Sequence, residues 1–167
     1  MYTALILLCL NLAASGVEAQ PKPPKMVELK GAQIPEHAVW RHVFHKLADA
    51  KKNNVEWALD EVKLPPAERE LLLREAGAQS RRDAKCQEVM ERRVGPLLNS
   101  GKSMDEILAE QHKVQLECRS DVLAARDRVL TTLSNESQAT LRAWINERRE
   151  GITVTIAENE VAKFMQP

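Results

Sequence analysis

The sequence predicts an all-α protein: a long antiparallel helical hairpin with flanking helices, about four helices in all, and a possible short strand at the C-terminal end. Three observations carry that expectation. Apolar residues recur at helical spacing across most of residues 36–150. Glycine and proline fall almost entirely at the edges of those periodic segments, Gly77 excepted, and neither occurs between Lys102 and Glu150. A composition that is 44% apolar and 29% charged suits exposed amphipathic helices around one core. At 167 residues, one domain is the natural prior.

The chain opens on an apolar run, Tyr2 to Ala14, followed by Ser15-Gly16-Val17-Glu18-Ala19. Val17 and Ala19 are small enough for the pocket positions of a signal-peptidase site, so residues 1–19 read as a signal peptide cleaved after Ala19. No Lys or Arg precedes the run, so its n-region carries only the terminal amine. Leu7 and Leu8 precede Cys9 where a lipobox wants small residues, so export is expected without a stable membrane anchor. Cleavage would leave 24 basic against 23 acidic groups and two cysteines, Cys86 and Cys118. Near-neutral charge and only six aromatic residues argue against nucleic acid as a partner. Residues 20–35, with Pro21, Pro23, Pro24 and Pro35 among lysines, read as an extended, solvated arm.

The first helix is expected from about Glu36 to Val62, on the stripe Trp40, Val43, Phe44, Leu47, Val55, Ala58 and Val62. The second starts at Pro65-Pro66, where missing N–H groups cost least, and reaches about Val94. Its stripe is Leu72, Ala76, Cys86, Met90 and Val94, diluted by Gln79 and Asp83, and Gly77 is expected to weaken or bend it. Ser103 and Glu106 form a capping box for a third helix to about Thr132. That helix carries Ile107, Gln111, Val114, Cys118, Val122, Ala125 and Val129 at coiled-coil spacing. Ser134 caps a fourth through Arg149, with Leu141, Trp144 and Ile145 inward.

If the second and third helices turn back near Gly101, Cys86 and Cys118 fall within one helical turn of direct opposition, both on inward stripes. An exported chain with two cysteines so placed predicts a Cys86–Cys118 disulfide; the alternative is two buried thiols side by side. After Gly151, Ile152-Thr153-Val154-Thr155-Ile156 alternates as a strand does. A lone strand needs a partner edge, such as one from a second subunit, so an irregular tail or helix extension to Lys163 is the preferred expectation for residues 151–167.

His42, His45 and Asp49 stand at i, i+3 and i+7, one stripe of the first helix. Two imidazoles and a carboxylate are suitable ligands for zinc, nickel or copper, so these three form the candidate metal set. At a step of about 100° per residue, His42 and His45 lie roughly 200° and 140° from Trp40, away from the apolar stripe. That orientation fits solvent-facing histidines better than a closed site, and no cofactor is the primary expectation. His37 and His112 are further candidates that the sequence cannot bring together. No phosphate loop, zinc-protease motif or nucleophile elbow appears, and spacing singles out no catalytic residue, so no enzyme is expected. Asn135-Glu136-Ser137 matches a glycosylation sequon. Trp40, Trp57 and Trp144 read as packing residues, and Lys51-Lys52, Arg81-Arg82 and Arg148-Arg149 as solvated faces with acidic neighbours.

Two helix starts resemble each other: Leu64-Pro65-Pro66-Ala67-Glu68-Arg69-Glu70-Leu71 and Leu133-Ser134-Asn135-Glu136-Ser137-Gln138-Ala139-Thr140-Leu141. An exported four-helix chain with two such starts resembles the Spy/CpxP group of periplasmic LTxxQ proteins. It also resembles metal-resistance proteins of the ZraP and CnrX type. The resemblance spans about Pro35 to Arg149. The family's Thr corresponds to Pro65 and Ser134 here, and its Gln to Glu68 and Ser137. The resemblance implies a helical hairpin, often dimeric, in the periplasm of a bacterium. It also implies chaperone-like binding of unfolded or partner proteins under envelope stress, or periplasmic metal binding or sensing. A structural interaction module is the remaining reading. The stripes interrupted at Gln79, Asp83 and Gln111 describe a thin monomer, for which a homodimer is a reasonable state.

Overall fold

Along the chain the elements are β1 (Met26–Lys30), α1 (Glu36–Lys52), α2 (Pro66–Val94), α3 (Met104–Thr132), α4 (Asn135–Arg149), β2 (Thr153–Ala157) and a short α5 (Val161–Phe164). They come from a computed structural model that describes residues 25–55 and 61–166. The expected signal peptide, the start of the arm, and Trp57 and Ala58 lie outside the described residues. The fold is mostly α, as the sequence predicts.

α2 and α3 form the antiparallel hairpin, and the turn between them is a 3-10 segment, Gly95–Asn99, followed by Gly101 at a φ of 72°. Pro66 opens α2 where its missing N–H leaves no orphan. The Ser103–Glu106 capping box opens α3: the Glu106 N–H donates to Ser103 Oγ at 3.3 Å, and the Ser103 N–H donates to Glu106 Oε2 at 3.1 Å. α2 runs unbroken through Gly77, with α1 and α3 packed along the helix. Ion pairs at near-mirror positions about Gly101, Glu75 with Arg128 and Arg93 with Glu110, hold the same register as the cysteines.

α1 lies across both hairpin helices, burying Val39, Trp40, Val43, Phe44 and Leu47 against Leu72, Leu73, Ala76, Val122, Ala125 and Val129. It ends at Lys52, ten residues before the expected Val62. Asn54 adopts a φ of 52°, a left-handed turn that asparagine tolerates and a helix does not. Val62 and Leu64 are nevertheless buried, so they rejoin the core from the connecting segment.

The ends of the chain differ most from expectation. Met26–Lys30 is a strand, and it pairs antiparallel with Thr153–Ala157 in the register Met26↔Ala157 to Lys30↔Thr153. The arm is therefore not wholly solvated, and the tail is a strand whose partner lies in the same chain. Both segments are short, and pairing satisfies backbone groups that neither could satisfy alone. Val27, Leu29, Val154 and Ile156 share the face that packs on the core. Arg149, at the end of α4, binds the arm in place: its guanidinium donates to Gly31 O at 3.2 Å, to Glu36 Oε1 at 2.8 Å and to Ile34 O.

Candidate functional site

The hairpin divides at the Cys86–Cys118 disulfide, whose Cα atoms are 6.2 Å apart. On the side towards the chain ends, α2 and α3 share the main core with α1 and α4. Beyond the bond they continue as an arm of roughly 20 Å, with Val94, Ile107 and Val114 buried between the two helices. Arg93 braces the arm through Glu110 at 2.6 Å and Glu117 at 2.8 Å. Near its end Leu98 is 58% exposed, Met104 63% and Leu108 37%. Met104 and Leu108 are four residues apart and so share a helix face.

The three residues of the predicted metal set stand in different surroundings. His42 and Asp49 face solvent, whereas His45 Nε2 lies 2.8 Å from Asp83 Oδ2 on α2. That hydrogen bond raises the His45 pKa above its ordinary value against the opposing effect of burial. The His42 pKa is lowered by desolvation and by the neighbouring Lys46 and His45. Among the described residues, no three or more His, Cys, Asp or Glu side chains converge as metal ligands.

Asp83 is the centre of a polar cluster that sequence reasoning took for dilution of an apolar stripe. Gln79 is 0% exposed, and its amide donates to Asp83 Oδ1 at 3.1 Å while accepting from Arg82 Nε at 2.9 Å. Arg41 Nε lies 3.5 Å from the same carboxylate oxygen. A buried amide with partners on both its ends is a specific packing element. Its signal was available in the spacing: Gln79 and Asp83 are i, i+4 on the inward face.

His37, one of the two further candidates, is 2% exposed and meets the edge of Phe164 in α5 at a centroid distance of 5.5 Å. Arg119 stacks over the same ring at 5.9 Å and donates to the backbone oxygen of Lys163 at 2.5 Å. Burial, then Arg119 and Arg41, lowers the His37 pKa to about 4, so the imidazole is neutral at pH 7. His112 lies far from His37 in role: it lines a groove of ≈ 420 Å³ between α3 and the chain end, with Leu108, Gln111, Gln115, Ile156 and Phe164.

The basic clusters have acidic or aromatic neighbours. Lys51 pairs with Glu70, Arg82 with Glu75, Arg148 with Glu61 and the Trp144 ring, and Arg149 with Glu36. Among the described residues no helix is long and apolar enough to cross a membrane. No protein-family model, curated protein or solved structure matches the chain.

Proposed function

We propose that this chain is an exported, non-enzymatic helical protein that binds unfolded or partner proteins in a chaperone-like, envelope-stress role. The observation that carries the reading is the arm beyond the disulfide, which holds Leu98, Met104 and Leu108 out to solvent. Apolar side chains displayed on a braced projection gain free energy by covering exposed apolar segments of another chain. Pairing of the basic clusters within the molecule supports apolar over electrostatic recognition. The disulfide is compatible with an oxidising compartment, and the two similar helix starts support the resemblance to Spy/CpxP proteins.

The test is suppression of aggregation of a chemically denatured protein diluted into buffer with the mature chain. Suppression by the unsubstituted chain, lost in Leu98→Ser/Met104→Ser with helicity unchanged, is the expected result. Equal suppression by that variant would remove the arm from the mechanism, and no suppression at any ratio would end the reading.

A further inference from the structure

His37 closes a contact between three elements. It is buried on the first turn of α1 and meets the edge of Phe164 in α5, while Arg119 of α3, itself buried, stacks over the same ring. Arg119 holds α5 through the backbone oxygens of Lys163 and Gln166, and among the described residues no carboxylate pairs with it. The charged groups that act on the imidazole, Arg119 and Arg41, are both cations; with burial, they lower its pKa to about 4. On the same and neighbouring elements Glu36 is engaged by Arg149, Asp83 by Arg41 and His45, and Glu160 by Lys163.

A neutral imidazole suits this seat, because it packs on Phe164 and adds no charge to the two already there. A proton would bring a third cation into a dry contact with no facing carboxylate among the described residues, where like charges repel far more strongly than in water. Burial decides which element gives way. α1 and α3 each sink an apolar stripe into the core, whereas α5 is a single turn with no buried residue and only Phe164 packed against the core. Elements with so little burial open locally while the rest of a fold stays closed. Lys163 and Phe164 also line the groove of ≈ 420 Å³ together with Leu108 and Ile156. Without α5 that groove opens, and Phe164 and Ile156 extend the apolar surface that Leu98, Met104 and Leu108 begin.

We propose that His37 is an acid-operated latch: its protonation releases α5 from α1 and α3 and opens the groove beside Leu108. The link to client binding rests on the chaperone-like reading and supplies its regulation, with more apolar surface presented in acid.

The test is fluorine NMR of the full mature chain labelled with fluorophenylalanine. Its two phenylalanines are Phe44, fully buried in the core, and Phe164, so one signal reports the core and the other the latch. From pH 7 towards 4 the Phe164 signal should move to its solvent-exposed position while Phe44 and the helical circular dichroism hold. The ratio of released to seated α5 should rise on the order of 10²-fold, and by less than about threefold in His37→Leu. If that variant does not fold, His37→Gln, neutral at every pH, reads the same contact. Phe164 still seated at pH 4, or released equally in the folded variant, overturns the latch. So does movement of both fluorine signals together with loss of helicity, which is global unfolding. Aggregation suppression that rises from neutral to acid pH, and stays flat in His37→Leu, supports the regulation. Release of α5 without that rise overturns the regulation and leaves the arm's role standing. Suppression at neutral pH with Phe164 seated throughout removes the latch and keeps the broader reading.

Discussion

The carboxylate of Glu68, in the first turn of α2, accepts a hydrogen bond from the backbone N–H of Ser134, the N-cap of α4, at 3.0 Å. The two similar helix starts are thus neighbours in space, 66 residues apart in sequence. Ser134 caps its own helix by accepting from the Ser137 N–H at 3.3 Å, while Glu68 satisfies the N–H of the cap residue itself. One side chain thereby fixes the entry of α4 to the entry of α2, where Leu64 and Leu133 are both buried.

Removing the cap hydroxyl has a predictable cost. Ser134→Ala should destabilise the chain by about 1 kcal/mol, as N-cap truncations do, measured by urea unfolding. Glu68 adds a pH dependence. Its pKa is lowered from 4.5 by the hydrogen bonds from Ser137 and Ser134. A carboxylate with a depressed folded pKa contributes stability above its unfolded value, lost as pH falls through the folded one. Thermal melts should show Glu68→Gln less stable at neutral pH, with a shallower decline below about pH 4.5 than the unsubstituted chain. Parallel acid slopes would show that the contact has no energetic weight.

The disulfide should stabilise the whole chain by about 3–4 kcal/mol in the chain-entropy model for its loop of 32 residues. Cys86→Ser/Cys118→Ser should lose that amount in urea. Amides between the two positions should lose most protection from hydrogen exchange, because little core besides Val94, Ile107 and Val114 lies beyond the bond. A uniform loss across α1 and the arm alike would show that the arm has no separate stability.

The hairpin, its caps and its cysteine pair were legible because each is a local pattern on a helix, and one turn position then fixes the register. What the sequence concealed was long-range. Val27 and Leu29 alternate, but they follow prolines and lysines, and their partners Ile156 and Val154 lie at the other end of the chain. Val55 and Val62 keep the helical phase and so extend the expected α1, although Asn54 turns left-handed just before them. By its own helix His45 reads as solvent-facing, because its partner, Asp83, stands on another helix. Helical angles place a side chain relative to its own axis and say nothing of what the neighbouring helix brings.

Two histidines on α1 should move stability in opposite directions with pH. His37 has a folded pKa of about 4 against 6.5 unfolded, so the folded state refuses a proton that the unfolded state takes. Its contribution is complete above pH 6.5 and is lost as pH falls towards 4, by roughly 3 kcal/mol. His45, raised by Asp83, contributes below 6.5 and loses that contribution as pH rises through its folded pKa. Stability measured between about pH 4 and 8 should therefore rise less steeply in His37→Leu, and more steeply in His45→Gln. Unchanged slopes in His37→Leu would mean that the imidazole takes up its proton in the folded state, with α5 displaced from Arg119.

Glycines at two positions should respond to alanine with opposite signs. Gly31 has a φ of 51°, and a Cβ there would lie 2.7 Å from Glu150 Oε2. Its carbonyl also receives Arg149, so the turn that leads β1 into α1 has little freedom to adjust. Gly31→Ala should cost about 1–2 kcal/mol for the left-handed backbone alone. Gly77 is helical, and a Cβ there would meet only Arg81 Nη1, at 3.8 Å. Gly77→Ala should stabilise the chain by about 0.5–1 kcal/mol, because the unfolded chain loses conformational freedom that α2 never uses. Both values follow from urea midpoints at constant m. Destabilisation at Gly77 would show that α2 needs its flexibility where it passes beneath α1, and a neutral Gly31→Ala would show that the arm can relax away from Glu150.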